Sequence, residues 1–422
     1  MKTKVRANPT QATPPALRIA RRSSLKAIAG AFAGLMLPST GGAQSSGRLP
    51  FDQWIAEFGT KATAHGITEE TYARTMRGLR PDPTGLDAIR SQPEFTEQLW
   101  QYLNRRVSDW RVITGRQKAS DYDALLGRIE RDFGVERDVV LAVWGIESSY
   151  GDPVVQERYM RPVFPSLATL AWAEPHRRSY WEQELINALT IVQNGWSTPA
   201  EMVGSWAGAM GHTQWMPEVW LHLGIDYRHD GKISPFGPPD DALATTAKFF
   251  VERGKYRRGE HWGYEVRLPS GAGHAAHSYA EWLKLGAVRA DGEPLPDTKT
   301  KARPWTPVPG GPAFLLGPNF SAVHSYNPSM NYTLALLHLS DRIVGGGEFV
   351  QKFPGSERAP TLAEVQEIQQ RLTARGFDTG GTDGRAGSDT MVAVRNFQRQ
   401  SGIDPPDGYA GVGLLARLRQ GS

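Results

Sequence analysis

Asp138-Val139-Val140-Leu141-Ala142-Val143-Trp144-Gly145-Ile146-Glu147-Ser148-Ser149-Tyr150-Gly151 is the stretch on which the reading of this chain turns. Its spacing predicts a helix that places Val140, Val143, Trp144 and Glu147 on one face. A carboxylate on an apolar face loses hydration. That loss raises its pKa and keeps it protonated near neutral pH, the state a general acid needs. A structural carboxylate, neutralised by a buried arginine or by backbone donors, fits the same pattern.

Two further stretches carry unusual chemistry. The first is Gly204-Ser205-Trp206-Ala207-Gly208-Ala209-Met210-Gly211-His212-Thr213-Gln214-Trp215-Met216-Pro217. Small residues let backbones approach closely, while Ser205, Gln214 and the indoles offer hydrogen bonds and flat apolar faces, a combination suited to a sugar groove. Taken by itself, the stretch is better explained by close helix packing of the small residues, and His212 reads as structural. The second is Ser325-Tyr326-Asn327-Pro328-Ser329-Met330-Asn331-Tyr332, a polar and aromatic turn leading into an apolar helix. Here Asn327 can donate an amide hydrogen bond and Ser329 can cap the helix.

Around these stretches the chain is helical and rich in tryptophan from Phe51 onward, as in Phe51, Trp54, Ile55 and Phe58 at offsets of three and four. A Gly/Pro-rich interval, Pro269 to Pro312, is flanked by apolar pieces, Glu265 to Leu268 and Ala313 to Leu316, which read as short strands. Gly345-Gly346-Gly347 ends the helix that starts near Ser329. The stretch that follows, through Pro354, Gly355 and Pro360, has the composition of a linker. A new unit opens with the capping-box spacing Thr361-Leu362-Ala363-Glu364. It continues as three short helices with Val365, Ile368 and Leu372, then Val392, Ala393 and Phe397, then Leu414, Leu415 and Leu418 turned inward.

The 422 residues leave room for two or three domains, and 40% hydrophobic with 22% charged composition excludes a mainly disordered chain. Seven of the 48 Lys and Arg fall in residues 1–43, which contain no acid, so the remainder carries 41 basic against 44 acidic residues. The net charge of +4 is therefore a property of the first segment, and bulk charge gives no support to a nucleic-acid or anionic-membrane partner. That segment runs through Arg21-Arg22 into the apolar Ala27 to Leu37 and ends in small residues at Ala43. It reads as an export signal, too short in its apolar part to span a bilayer; Arg21-Arg22-Ser23-Ser24-Leu25-Lys26 resembles a twin-arginine motif with Ser where a bulky residue often stands, and a non-cleaved N-terminal anchor is the alternative. With no cysteine, disulfides, thiolate metal sites, a cysteine nucleophile and a lipid-modified N-terminal cysteine are excluded.

Taken together, Gln92-Pro93-Glu94-Phe95 followed by Tyr102, the Trp144 to Ser148 motif, Ala168-Thr169-Leu170-Ala171, Ala207 to Pro217 and Tyr326-Asn327-Pro328-Ser329 resemble the lytic murein transglycosylases of the membrane-bound lytic transglycosylase B family. The resemblance implies a mainly α (α+β) fold, with a lysozyme-like helical catalytic domain over 49–345 that carries a small loop/strand insertion. A linker over 346–360 and a small three-helix peptidoglycan-binding domain over 361–420 follow. The last unit resembles peptidoglycan-binding domains through Val365 to Leu372, Gly376-Phe377, Asp383-Gly384, Gly387 and Thr390 to Gln398.

By matching position, the resemblance makes Glu147 the sole catalytic acid/base and Tyr102, Ser205, Gln214, Tyr326, Asn327 and Tyr332 residues of the glycan cleft. The implied reaction cleaves the MurNAc-GlcNAc β-1,4 bond without water and leaves 1,6-anhydro-MurNAc ends, with no cofactor required. Glycan strands of peptidoglycan are the implied partner and the periplasm the implied compartment. A hydrolytic muramidase on the same fold and a non-catalytic wall-binding scaffold are the alternatives. Asp226, Asp230, Gly231 and Asp240 resemble an EF-hand-like calcium loop. Arg228 stands there in place of an oxygen ligand, so a salt-bridged turn is the expectation and calcium the alternative. His274 and His277 permit metal ligation but have no third ligand close by.

Overall fold

A computed structural model describes residues 48–90 and 97–420. The expected export signal at 1–43 and the Gln92 to Phe95 motif lie outside the described residues. In chain order the first helices are α1 (Phe51–Ala64), α2 (Glu69–Met76), α3 (Pro83–Arg90), α4 (Leu99–Arg106), α5 (Asp109–Asp121), α6 (Asp123–Phe133), α7 (Arg137–Ser148) and α8 (Pro153–Tyr159). Then come β1 (Arg161–Pro162), α9 (Val163–Ala173), α10 (Arg178–Gln193), β2 (Val203–Gly204), α11 (Pro217–Leu223) and α12 (Asp240–Glu252). A sheet region follows, with β3 (Gly263–Arg267), β4 (His277–Ser278), α13 (Tyr279–Lys284), β5 (Val288–Arg289), β6 (Lys301–Trp305) and β7 (Ala313–Leu316). The chain ends with α14 (Pro318–His324), α15 (Met330–Ile343), α16 (Leu362–Ala374), α17 (Ser388–Gln400) and α18 (Val412–Gln420).

The predicted helix around Glu147 is α7, and it is buried on nearly every side, with Val139 through Ile146 all inside. A helix apolar all round needs neighbours all round. Here α5, α6, α12 and α15 supply them and build the first core with α4 and α14. A second core joins α1, α2, α9, α10 and α11 around Phe58, Phe164, Trp215 and Trp220. Each fully buried aliphatic or aromatic side chain contributes about 1.5–3 kcal/mol. Glu147, at the end of α7, is embedded in surroundings of that kind.

The two predicted strands correspond to β3 and β7, which pair antiparallel with Glu265 opposite Phe314. The interval between them is more ordered than its Gly/Pro content suggested. It contributes three further strands and α13, giving a five-stranded sheet in the order β4-β6-β7-β3-β5. Trp282 of α13 is fully buried beneath it, with its indole N–H donating to the Ala302 carbonyl at 3.0 Å. An indole buried and satisfied in this way anchors a segment that is poor in regular periodicity.

The Ser329 cap is present, its hydroxyl accepting from the Tyr332 amide at 3.3 Å, and the Thr361/Glu364 capping box is complete. The segment after Gly347 is laid onto the large N-terminal unit rather than hanging free. Phe349 packs on His338 with ring centroids 3.9 Å apart, and the Val350 and Gln351 amides both donate to the Glu265 carboxylate at 2.8 Å. In the C-terminal unit Ile368, Leu372, Val394, Leu415 and Leu418 form the core, while Val392, expected inside, is exposed.

Candidate active site

Glu147 sits at the end of α7, beside the first core. The α7 helix stops one residue later because Ser149 and Tyr150 take left-handed backbone conformations (φ 52° and 61°). The Tyr332 hydroxyl of α15 donates to Glu147 Oε1. Burial pushes the Glu147 carboxyl above its ordinary range, and the Tyr332 hydrogen bond and the Arg106 guanidinium pull less strongly in the other direction. Burial and the neighbouring Glu147 also push the Tyr332 phenol well up, so it stays a donor. Tyr102 of α4 and Tyr326 act on Tyr332 electrostatically, which places four of the sequence-predicted residues in one cluster.

Tyr326 ties the cores together. Its hydroxyl donates to the Thr213 carbonyl, and its ring meets Phe249 edge-on at 5.1 Å. The loop carrying Thr213 is not itself helical, yet its small residues do pack closely, Gly208 against Leu167 of α9 and Gly211 against the Pro235 carbonyl. It is a set of turns and single bridges between β2 and α11, in which Met210 pairs with Gly204 and Trp215. Gly211 lies at φ 71° with the Pro235 carbonyl 2.1 Å from where a Cβ would stand, so only glycine fits there.

His212 is held neutral by its partners. Trp144 Nε1 donates to Nδ1 at 3.1 Å, leaving Nε2 to donate to the Gly237 carbonyl at 2.6 Å, and burial lowers its pKa. Ser148 Oγ adds a bond to the His212 carbonyl at 2.6 Å. The imidazole is thus a structural link between α7 and the loop, in line with its sequence reading.

Ser205 and Gln214 serve that loop with their own polar groups. Ser205 Oγ accepts from the Ala207 and Ala209 amides at 3.3 and 3.2 Å, and Gln214 Nε2 donates to the Gly211 carbonyl at 3.0 Å. Trp206 beside Ser205 is 41% exposed. Asn327 is half-buried in the turn between α14 and α15.

Two arginines that the sequence did not single out complete the site. Arg106 of α4 is the cation acting on Glu147, and its Nε is buried without a hydrogen-bond partner. Arg111 is half-buried and donates to the Gly145 carbonyl at 3.2 Å and the Arg105 carbonyl at 2.9 Å, with desolvation lowering its pKa to about 9. Repeated cations around α4 and α5 were visible, but nothing in their spacing distinguished these two from a solvated face.

The Asp226 loop closes on itself. Both Asp226 oxygens accept backbone amides, of Asp230 at 3.1 Å and Gly231 at 2.8 Å, and Arg228 pairs with Asp230 at 2.8 Å. The carboxylate turned into the loop is Asp241, accepting from the Tyr227 and Ser234 amides at 2.9 and 3.1 Å. Asp240, named from the sequence, instead faces Arg128 at 3.9 Å. Adjacent aspartates at a helix start cannot be told apart by spacing alone. His274 is exposed and His277 lies edge-on to Trp282 at 5.0 Å, and among the described residues no cluster of three metal-ligating side chains occurs.

Residues 50–341 match the family described as Transglycosylase SLT domain, and residues 361–418 match a family described as peptidoglycan binding domain. Pseudomonas aeruginosa SltB3 is 38% identical, with 87% of this chain and 99% of that chain covered and a TM-score of 0.68. It was solved with NAG-anhNAM-pentapeptide and with NAG-NAM-pentapeptide. Membrane-bound lytic murein transglycosylase B of Escherichia coli K12 is 26% identical over 249 residues, 58% of this chain and 66% of that protein's length. The spore cortex-lytic enzyme of Bacillus cereus is 45% identical over 56 residues, 21% of its length. With its Glu147 cluster lying inside a match that takes in more than half of its length, the chain belongs to the transglycosylase SLT domain family.

Proposed function

We propose that this chain is a lytic transglycosylase that cleaves the MurNAc-GlcNAc β-1,4 bond of peptidoglycan without water, using Glu147 as its acid and its base. The protonated carboxyl gives its proton to the departing glycosidic oxygen as the bond to the MurNAc anomeric carbon breaks. The resulting carboxylate then takes the proton of the MurNAc C6 hydroxyl, whose oxygen closes on the anomeric carbon to leave a 1,6-anhydro end. Atoms balance with no second reactant, and the carboxyl returns to its starting form.

The observation that carries this reading is the surroundings of Glu147. Its carboxyl is buried, bonded to a phenol, and acted on by a cation; among the described residues no carboxylate contributes to its electrostatics. A hydrolytic glycosidase needs a second carboxylate to act on water or on the sugar. A substrate that supplies its own nucleophile does not, and holding that hydroxyl in place supplies much of the rate. Tyr332 holds the Glu147 carboxyl in orientation. Tyr102, Tyr326, Asn327, Ser205 and Gln214 shape the glycan cleft, Asn327 with a side-chain amide for the developing charge. The anhydro ligand named for the SltB3 complex supports the same product class here.

No cofactor enters this reaction. The Asp226 loop does not fit calcium, since its oxygens are occupied by backbone amides and Arg228 supplies the positive charge from within. The enzyme would act on glycan strands in the periplasm after export through residues 1–43. Among the described residues no helix is long and apolar enough to cross a membrane. Digesting purified murein and weighing the products tests the reading. Anhydro-muropeptides, one water lighter than muramidase products, are expected, and Glu147→Gln lowers their formation roughly 1,000-fold. Hydrated ends alone would mark a muramidase, and no product from the parent would favour a wall-binding scaffold.

A further inference from the structure

The C-terminal unit contains the same device twice. Gln369 of α16 accepts from the Gly384 amide at 2.8 Å and donates to Asp383 at 3.0 Å; Gln398 of α17 accepts from Gly408 at 2.8 Å and donates to Asp407 at 2.7 Å. Each buried glutamine thus clamps one Asp-Gly turn. Both turns face the catalytic unit. Asp407 accepts from Gln101 of α4 at 2.7 Å, while Asp383 holds Arg385 at 2.6 Å and Arg385 reaches Asp152 with a second nitrogen at 2.6 Å. Asn104 of α4 adds a bond to the Tyr409 hydroxyl at 2.8 Å.

The elements held in this way frame Glu147. One side of α4 presents Tyr102 and Arg106 to the site, and Gln101 and Asn104, three residues apart on an adjoining face, bind the C-terminal unit. Asp152 follows the left-handed turn that ends α7 and caps the start of α8, accepting from Val154 at 2.9 Å. The Arg385 guanidinium also lies 5.0 Å over the Trp110 ring. Trp110 meets Tyr150 at 6.4 Å, and the Tyr150 ring fills the space left by Gly145, two residues before Glu147. With eight and seven residues, α4 and α8 are too short to hold a conformation without tertiary contacts.

We propose that the C-terminal unit is a positioning element of the active site, docked through its two glutamine-clamped Asp-Gly turns onto α4 and the start of α8, and not only a tether to the wall. Arg385 is its chief positioning residue, acting through Asp152 and Trp110. The inference deepens the transglycosylase reading and rests on it for its kinetic arm.

Full-length parent, Arg385→Gln, Asp152→Asn and the double variant are compared on a short soluble murein oligosaccharide. Each single variant is expected to lose about tenfold in kcat with little change in KM, since small misplacements of site elements are costly. The double variant is expected to be no worse than either single one, because both remove one interaction. Unchanged kcat on this substrate, or additive losses in the double variant, overturns the proposal. Amide hydrogen exchange reads docking without catalysis, so a parent that makes no anhydro product sinks the transglycosylase reading while leaving docking to this measurement. Faster exchange in residues 99–106 and 153–159 of Arg385→Gln is expected, and protection equal to the parent's overturns the docking.

Discussion

The phenol of Tyr332 donates its hydrogen bond to the carboxyl of Glu147, joining the N-terminal turn of α15 to the C-terminal turn of α7 across the site. The bond favours the ionised carboxyl, as does the Arg106 charge, and both work against the larger effect of burial. In the proposed reaction this balance tunes the carboxyl between two requirements, a proton to give and a carboxylate that can form once it is given.

That balance sets a pH profile. A general acid must be protonated, so activity falls as pH rises through the Glu147 pKa. Tyr332→Phe and Arg106→Gln each remove an influence that lowers this pKa, so both are expected to move the alkaline limb of kcat/KM to higher pH. Tyr332→Phe also loses roughly tenfold in maximal rate through lost orientation. Rate profiles on soluble muropeptides read both effects, and a limb moving to lower pH would contradict the electrostatics described for Glu147.

The same carboxyl destabilises the fold as pH rises. Its folded pKa lies above the unfolded value because burial disfavours the charge. Below the unfolded pKa both states are protonated and no penalty exists. Above it the unfolded chain gains by ionising and the folded state does not, until the folded pKa is passed and the penalty levels off. Glu147→Gln is therefore expected to raise Tm by a few degrees near pH 8 and hardly at all near pH 4, read by calorimetry at both values. A gain independent of pH would contradict the burial argument.

Gly211 sets the shape of the loop below Tyr326. A methyl group there collides with the Pro235 carbonyl, and the positive φ is unfavourable for any L side chain. Gly211→Ala is expected to cost about 2 kcal/mol or more, measured by urea unfolding. A variant as stable as the parent would show that the loop can rearrange freely.

For the Asp226 loop, a chelator is expected to leave Tm unchanged, and millimolar calcium to raise it no more than magnesium does. Arg228→Gln is expected to lower Tm, because Asp230 and the buried Asp241 lose the cation between them. A calcium-specific rise in the parent's Tm would mean that the ion binds the folded form.

How legible all this was depended on the kind of signal. Glu147 was readable because one acid ends a run of eight apolar residues, and burial follows from that pattern alone. Ser329, Thr361 and Glu364 were readable because capping is local in sequence. Arg106 and Arg111 were not, since their partners, a carboxyl on α7 and two backbone carbonyls, are set by tertiary packing. Ser205 and Gln214 read as cleft residues from their type, yet much of their hydrogen-bonding capacity supports the turns of their own loop, a use that residue type cannot announce. The residues after Gly347 read as a linker from their composition, and partners distant in sequence bind them down, the Glu265 carboxylate holding the Val350 and Gln351 amides and Phe314 meeting the Phe349 ring.

The central claim is that the sugar attacks itself, so solvent oxygen never enters the product. Digesting murein in heavy-oxygen water and weighing the newly formed muramyl ends measures this directly. No heavy oxygen in those ends, with the one-water mass deficit retained, is the result expected. Incorporation of one heavy oxygen per cleavage, with full reducing ends, would contradict the account.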